Sequence, residues 1–338
     1  MPQSSPPRDG LHSPDRTPLG AMEGPRGWSR GRIVAQSVGL LISLSLLGWA
    51  ISLALGERNQ ASWDAMRSAH WQTVATLVGL SLVSLTLNGL MFWITLRPLQ
   101  RLKPLEVIGV NAISTFLSVL PFKVGLATRV LIHHRRDGVR FRYIVAWMAG
   151  MGALALATLL PLAGAGLWRK DLDALWWLVA VGGLLVCNGA GIVLGRLSGR
   201  RTWLARLSLG SYEIVRDAPT VVGHLLLRLL DIAILAGRFT AAAAIAGHSL
   251  PPDQAILIAT TYFLLSVLAP AGTLGFREAG VAALGLARGL DEGALALTAL
   301  IVSVAELASA AAMAIPAAIA LRVDRLLARR NSSHSDSE

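Results

Sequence analysis

The sequence predicts an all-α polytopic integral membrane protein, with about six full spans and two re-entrant, broken-helix hairpins arranged as an inverted repeat. Three observations lead there. The 338 residues are 54% hydrophobic and only 15% charged, with a mean hydropathy of +0.56, which excludes an ordinary soluble domain. The apolar runs are too many and too long to form one buried core. Two of them are interrupted by Pro and Gly beside charged residues, at Leu120-Pro121-Phe122-Lys123-Val124-Gly125 and at Pro270-Ala271-Gly272-Thr273-Leu274-Gly275-Phe276-Arg277-Glu278.

Taken in order, residues 1–32 are rich in Pro, Ser, Gly and Arg and are expected to form a disordered cytoplasmic tail. The run that follows, 33–55, has no small-residue cleavage site, so it is read as the first span and not as a signal peptide. A polar loop at 56–70 carries Trp63. Span two is 71–96, where Asn88 is expected to bond a neighbouring helix. The segment 105–120 is short, breaks at Pro121 and leads to His133-His134-Arg135-Arg136, read as a solvated basic end. Residues 143–167 and 174–195 span again, a polar basic loop fills 196–219, and 220–247 is the next span. The second broken element occupies 254–290. Its first part, 255–269, is about 22 Å long as helix, short of a bilayer core of about 30 Å. The last span is 293–321, and 322–338 is a basic, polar cytoplasmic tail. The first half is therefore 33–167 and the second 174–321, with the same order of elements and opposite orientation in the membrane.

Charge sets the orientation. With the N-terminus cytoplasmic and each broken segment returning to its own side, 23 of the 31 Lys and Arg fall on the cytoplasmic side. Arg58, Arg67, Arg169, Lys170 and Arg288 fall on the other. Both termini are then cytoplasmic. The net charge of +11 reflects this bias and the anionic lipid headgroups beside it, not nucleic-acid binding. Trp63, Trp71, Trp168, Trp176 and Trp177 are expected in one aromatic belt, and Trp28, Trp93, Trp147 and Trp203 in the other. The single Cys187 allows no intramolecular disulfide.

Charges at membrane depth cost roughly 2.5–3.5 kcal/mol each on insertion scales, so they face protein or water. Broken backbone is tolerated there only where it is buried in protein or lines a cavity. Arg277 opens a helix whose N-terminus carries a partial positive charge, which suits a phosphate. Glu278 could pair with Arg277, accept from the loop N–H groups or meet a cationic headgroup. Gly272 and Gly275 let the loop approach closely. Lys123 and Arg129 form the matching candidate in the first half, with snorkelling to the headgroups as the plain alternative. Arg228, Asp231 and Arg238 share one helix face. Glu306 stands alone in the last span and requires a partner, Arg238 or Arg228. A structural ion pair is the plain reading of this network, and a lining of a transport path the sharper one. Gly191-xxx-Gly195 and Gly285-xxx-Gly289 allow close helix packing. No catalytic residue, metal-ligand set or cofactor motif is found.

Leu120-Pro121-x-Lys123-x-Gly125 with Arg129, and Pro270-x-Gly272 with Gly275-x-Arg277-Glu278-x-Gly280, resemble the paired motifs of the lysylphosphatidylglycerol synthase transmembrane (flippase-domain) family. The resemblance extends in layout over about 33–321. It departs at Leu126, where the family usually has an acid after the glycine. It implies an inner-membrane protein that moves lipid headgroups between leaflets. The aminoacyl-transferase domain of the full-length synthases has no counterpart here, so lysyl transfer from tRNA is not expected. The expected function is a flippase-like transporter of a phospholipid or lipid-linked headgroup. The alternatives are a membrane enzyme acting on a lipid-linked substrate and a scaffold for a separately encoded lipid-modifying enzyme.

Overall fold

The computed structural model describes residues 30–120, 123–169, 171–200, 208, 210–269 and 275–323. Most of both expected tails, Pro121, Pro270, Gly272, Trp28 and Trp203 lie outside the described residues. The chain is all-helical among those described. Six helices are long and apolar enough to cross a membrane: α1 (Arg30–Ala54), α3 (Trp71–Leu96), α6 (Phe141–Trp168), α7 (Ala174–Arg200), α9 (Ala218–Ile245) and α12 (Glu292–Ala320). Two pairs of shorter helices make the hairpins: α4 (Pro104–Leu117) with α5 (Val124–Arg135), and α10 (Pro252–Leu268) with α11 (Phe276–Arg288). At 1.5 Å per residue, the longest of these four reaches only about 25 Å.

Local chemistry places the ends. Pro104 and Pro252 open α4 and α10 in the first turn, where no N–H is needed. Asp217 and Asp291 cap α9 and α12 by accepting from the N–H groups of Thr220 at 3.2 Å and Ala294 at 2.9 Å. Gly289, with φ +69°, terminates α11. That glycine is a helix cap, so the expected packing role for Gly285-xxx-Gly289 holds only for Gly285, which faces Leu295.

The halves pack as a repeat. Helix α3 lies on α9. Helix α4 packs on α12 as α10 packs on α6; α1 packs on α12 as α7 packs on α6; α3 meets α4 as α9 meets α10. Exchanging the halves maps this set of partners onto itself. Helices α3 and α9, counterparts in the two halves, run antiparallel: Gly223 faces Ile94, Ser84 bonds Asp231, and Gly237 faces Leu80. Small residues allow these approaches, which supply the packing that holds helices together in lipid. The hairpins open at opposite ends of α12. Gly109 of the first lies against Ala317, while Gly285 of the second lies against Leu295.

Some expectations change. The polar loop 56–70 folds into a 3₁₀ turn, Glu57–Asn59, and an amphipathic helix α2 (Gln60–Arg67), because Asn59 and Trp63 donate back to the carbonyl of Ala54 at the end of α1. Arg196 and Arg200 belong to α7, and a short α8 (Tyr212–Val215) precedes α9, so 196–219 is largely helical where described. Trp147 is no belt residue: it is fully buried, donates to Thr95 Oγ1 at 2.9 Å and packs edge-on to Phe92. Trp176 is also buried, whereas Trp71, Trp168 and Trp177 are exposed as a belt requires. His133 is buried against Trp147 and bonded to Asp137 at 2.7 Å, so it is not solvated.

Candidate functional site

Residues from the inner ends of both hairpins line one cavity at Glu306, the midpoint of α12. Thr115 and Ser118 from the first tip and Arg277 from the second line a cavity of about 390 Å³ together with Glu306, Arg228, Arg238, Ser84 and Asn88. A side cavity of about 210 Å³ shares Thr115, Ser118, Arg277 and Glu306 and extends along Leu47, Val119 and Val304. Val304 and Val119 are exposed on the bundle surface, so the side cavity is apolar outward and charged inward.

Local folding aims each charge. Gly275 caps α11 with φ +83°, and a Cβ there would run into the Ser43 carbonyl oxygen of α1; only glycine meets both demands. The Gly275 N–H donates to Glu278 Oε2 at 2.6 Å, and Ser303 donates to Glu278 Oε1. Of the three roles open to Glu278, the fully buried carboxylate fills two: it accepts from the loop N–H of Gly275 and lies 3.9 Å from Arg277 Nη2. Arg277, in the same turn, is left to point at the cavity. Its Nη1 reaches Glu306 Oε1 at 3.2 Å, and its guanidinium stacks over Tyr262 at 4.4 Å.

Glu306 has two partners, not one. Besides Arg277 it holds Arg238 Nη2 at 3.3 Å, one of the two partners expected for it; the other, Arg228, pairs with Asp231 instead. One carboxylate thus ties α9, α11 and α12 together. Arg228 and Asp231 pair at 3.2 Å, Ser84 donates to Asp231 at 2.6 Å, and the Arg228 guanidinium stacks over Phe263 at 5.1 Å. Three guanidiniums therefore face three carboxylates. Buried charges demand such partners, because desolvating each ion costs several kcal/mol. The Nε of Arg228, Arg238 and Arg277, and both ring nitrogens of buried His224, have no hydrogen-bond partner among the described residues.

The first hairpin differs. Lys123 caps α5 with φ +53°, is exposed and does not line the cavity. Arg129 is buried but stands behind Phe92, with its guanidinium 3.5 Å from the ring centroid and Nη2 donating to Asn111 Oδ1 at 2.7 Å. It lies five residues into α5, about 7 Å below the tip, whereas Arg277 is the second residue of α11. The cavity therefore receives Phe92 in place of the first-half arginine. Asn88, expected to bond a neighbouring helix, instead lines the cavity.

Ser84, Tyr262, Phe263 and Ser303 were not singled out from the sequence. One signal was present: Ser81, Ser84 and Asn88 fall at successive offsets of 3 and 4, a polar stripe on an otherwise apolar span.

A family model described as the lysylphosphatidylglycerol synthase TM region matches residues 36–314, which contain every element of the site. This places the protein among multi-pass membrane proteins with a lipid-related function. No curated protein and no solved structure gives a significant match.

Proposed function

We propose, from the premise that the chain belongs to the lysylphosphatidylglycerol synthase TM-region family, that it moves a phosphate-bearing lipid headgroup between the leaflets of the cell inner membrane. The observation that carries this reading is that two hairpins opening at opposite ends of α12 both contribute, at its midpoint, to a cavity walled by Arg228, Arg238, Arg277 and Glu306. Broken helices meeting at mid-depth between inverted halves are the common layout of secondary transporter binding sites. The headgroup sits in the larger cavity with its phosphate on the guanidinium forks, which match phosphate oxygens in pairs. The acyl chains remain in the bilayer along Leu47, Val119 and Val304. Rocking of the halves alternates access. Arg97, Arg101, Arg135, Arg140, Arg196 and Arg322 lie at the end of the bundle where the first hairpin opens, and the positive-inside rule supports the reading that this end faces the cytoplasm.

The test is headgroup translocation in proteoliposomes of phosphatidylglycerol and phosphatidylethanolamine. Arg277→Lys keeps the charge and loses the fork. The expected result is at least a tenfold drop in rate with the fold intact by thermal unfolding; an unchanged rate would remove Arg277 from the site. Chemical modification of the lipid in detergent, where no leaflets exist, would favour the membrane-enzyme reading instead.

A further inference from the structure

On the basic end of the bundle, apart from the central cavity, a cleft of about 540 Å³ opens between the C-terminal ends of α3 and α7 and the start of α9. Arg97 and Arg101 come to it from the α3–α4 connection, Arg196 from the last turns of α7, and Arg216 from the α8–α9 connection. Two acids share the cleft. Asp217 is occupied as the cap of α9, accepting also from the Thr220 hydroxyl at 2.5 Å. Glu213 accepts from the Tyr212 hydroxyl at 3.3 Å and reaches Arg216 at 3.9 Å. Neither Arg101 nor Arg196 forms an ion pair or side-chain hydrogen bond among the described residues. Four guanidiniums against two carboxylates leave a formal surplus of two positive charges.

The walls are held in place. Trp93 Nε1 donates to the Leu102 carbonyl at 3.0 Å, fixing the turn that carries Arg97 and Arg101, and the Arg97 guanidinium lies 5.4 Å from the Trp93 ring centroid. Pro219 and Thr220 bring the N-terminal end of α9, with its partial positive charge, to the same rim. Arginines that only anchor a bundle at the interface would splay outward to separate headgroups. These four line one concavity from three separate stretches of the chain.

We infer that this cleft binds an anion carrying two phosphates at the membrane surface: the headgroup of a diphosphate phospholipid, or a soluble diphosphate of the same charge. Guanidinium forks grip phosphate oxygens bidentately, and basic pockets between helices on the cytoplasmic side hold such headgroups. Arg97 and Arg101 belong to the first half, Arg196 and Arg216 to the second. A bound anion therefore bridges the two halves.

The experiment uses the full chain in phosphatidylcholine nanodiscs. Cardiolipin is titrated with native mass spectrometry as readout, and pyrophosphate is titrated separately by calorimetry. Arg101→Gln with Arg196→Gln is expected to weaken binding about thirtyfold, from roughly a fivefold contribution per arginine near an anionic surface. Arg140→Gln with Arg322→Gln, which removes the same charge from the same end outside the cleft, is expected to change it less than twofold. Cardiolipin binding that pyrophosphate does not displace identifies a lipid site, and displacement identifies a soluble ligand; either supports the inference. Equal losses in both double variants, or no binding of either probe to the unsubstituted protein, would overturn it.

Discussion

The two hairpins are counterparts, yet they accommodate a buried arginine in different ways. In the second, Arg277 projects from the first turn of α11 onto Glu306, and Glu278 of the same turn closes the loop beneath it. In the first, Arg129 lies further from the tip and has an amide oxygen and an aromatic face as its partners. Leu126, which follows Gly125, is partly exposed and brings no charge to Arg129. The same scaffold thus supports one tip whose charge is matched by carboxylates and one whose charge is only solvated by dipoles. The difference teaches that architecture brings both hairpins to one cavity, while a few side chains decide which hairpin presents charge to it.

Substitutions can break or sharpen this contrast. The largest effect is expected from Glu306→Ala, which removes the carboxylate shared by Arg277 and Arg238. A loss of about 3–5 kcal/mol, read from SDS-induced unfolding in mixed micelles, is the expected outcome. Next come the tip glycines. Gly275→Ala combines a clash with the Ser43 carbonyl oxygen and a left-handed backbone, whereas Gly125→Ala meets only the Ser114 carbonyl oxygen and the nearby Ser118 N. Overpacking costs typically 1–3 kcal/mol and the backbone strain a further 1–3, so Gly275→Ala should be the more damaging in the same assay. Asn111→Ala strips Arg129 of its acceptor at a cost of about 1–3 kcal/mol. Were it to exceed the Glu306 substitution, the ranking of the tips would be reversed. Lys123→Ala, at an exposed position, is expected to stay within about 0.5 kcal/mol.

Much of the fold was readable because membrane insertion writes it in length and polarity. The six spans follow from runs long enough for the hydrocarbon core, and the hairpins from runs too short for it with Pro and Gly at the break. The shared face of Arg228, Asp231 and Arg238 followed from helical spacing, and its inward direction from the cost of charge in lipid. Which residues answer those charges was harder to read. Ser84 and Ser303 are small polar residues in apolar helices, where most such residues merely bond their own backbone, as Ser81 does to Leu77. Their pairing with Asp231 and Glu278 depends on the relative height of helices far apart in sequence. The same holds for Arg129: its motif marked it as the twin of Arg277, but its distance along α5 lowered it behind Phe92. The helix α2 was hidden because its sequence is polar, and only capping of α1 by Asn59 and Trp63 makes it fold there.

The antiparallel contact between α3 and α9 is bonded by Ser84 and Asp231, each near the middle of its own helix. That bond therefore sits close to the axis that interchanges the halves. If the protein alternates by trading conformations between them, this point is the fulcrum and keeps its place. A spectroscopic label at Ser81 would stay silent through the cycle, while labels at Thr115 and Ser266 would report displacements of opposite sense.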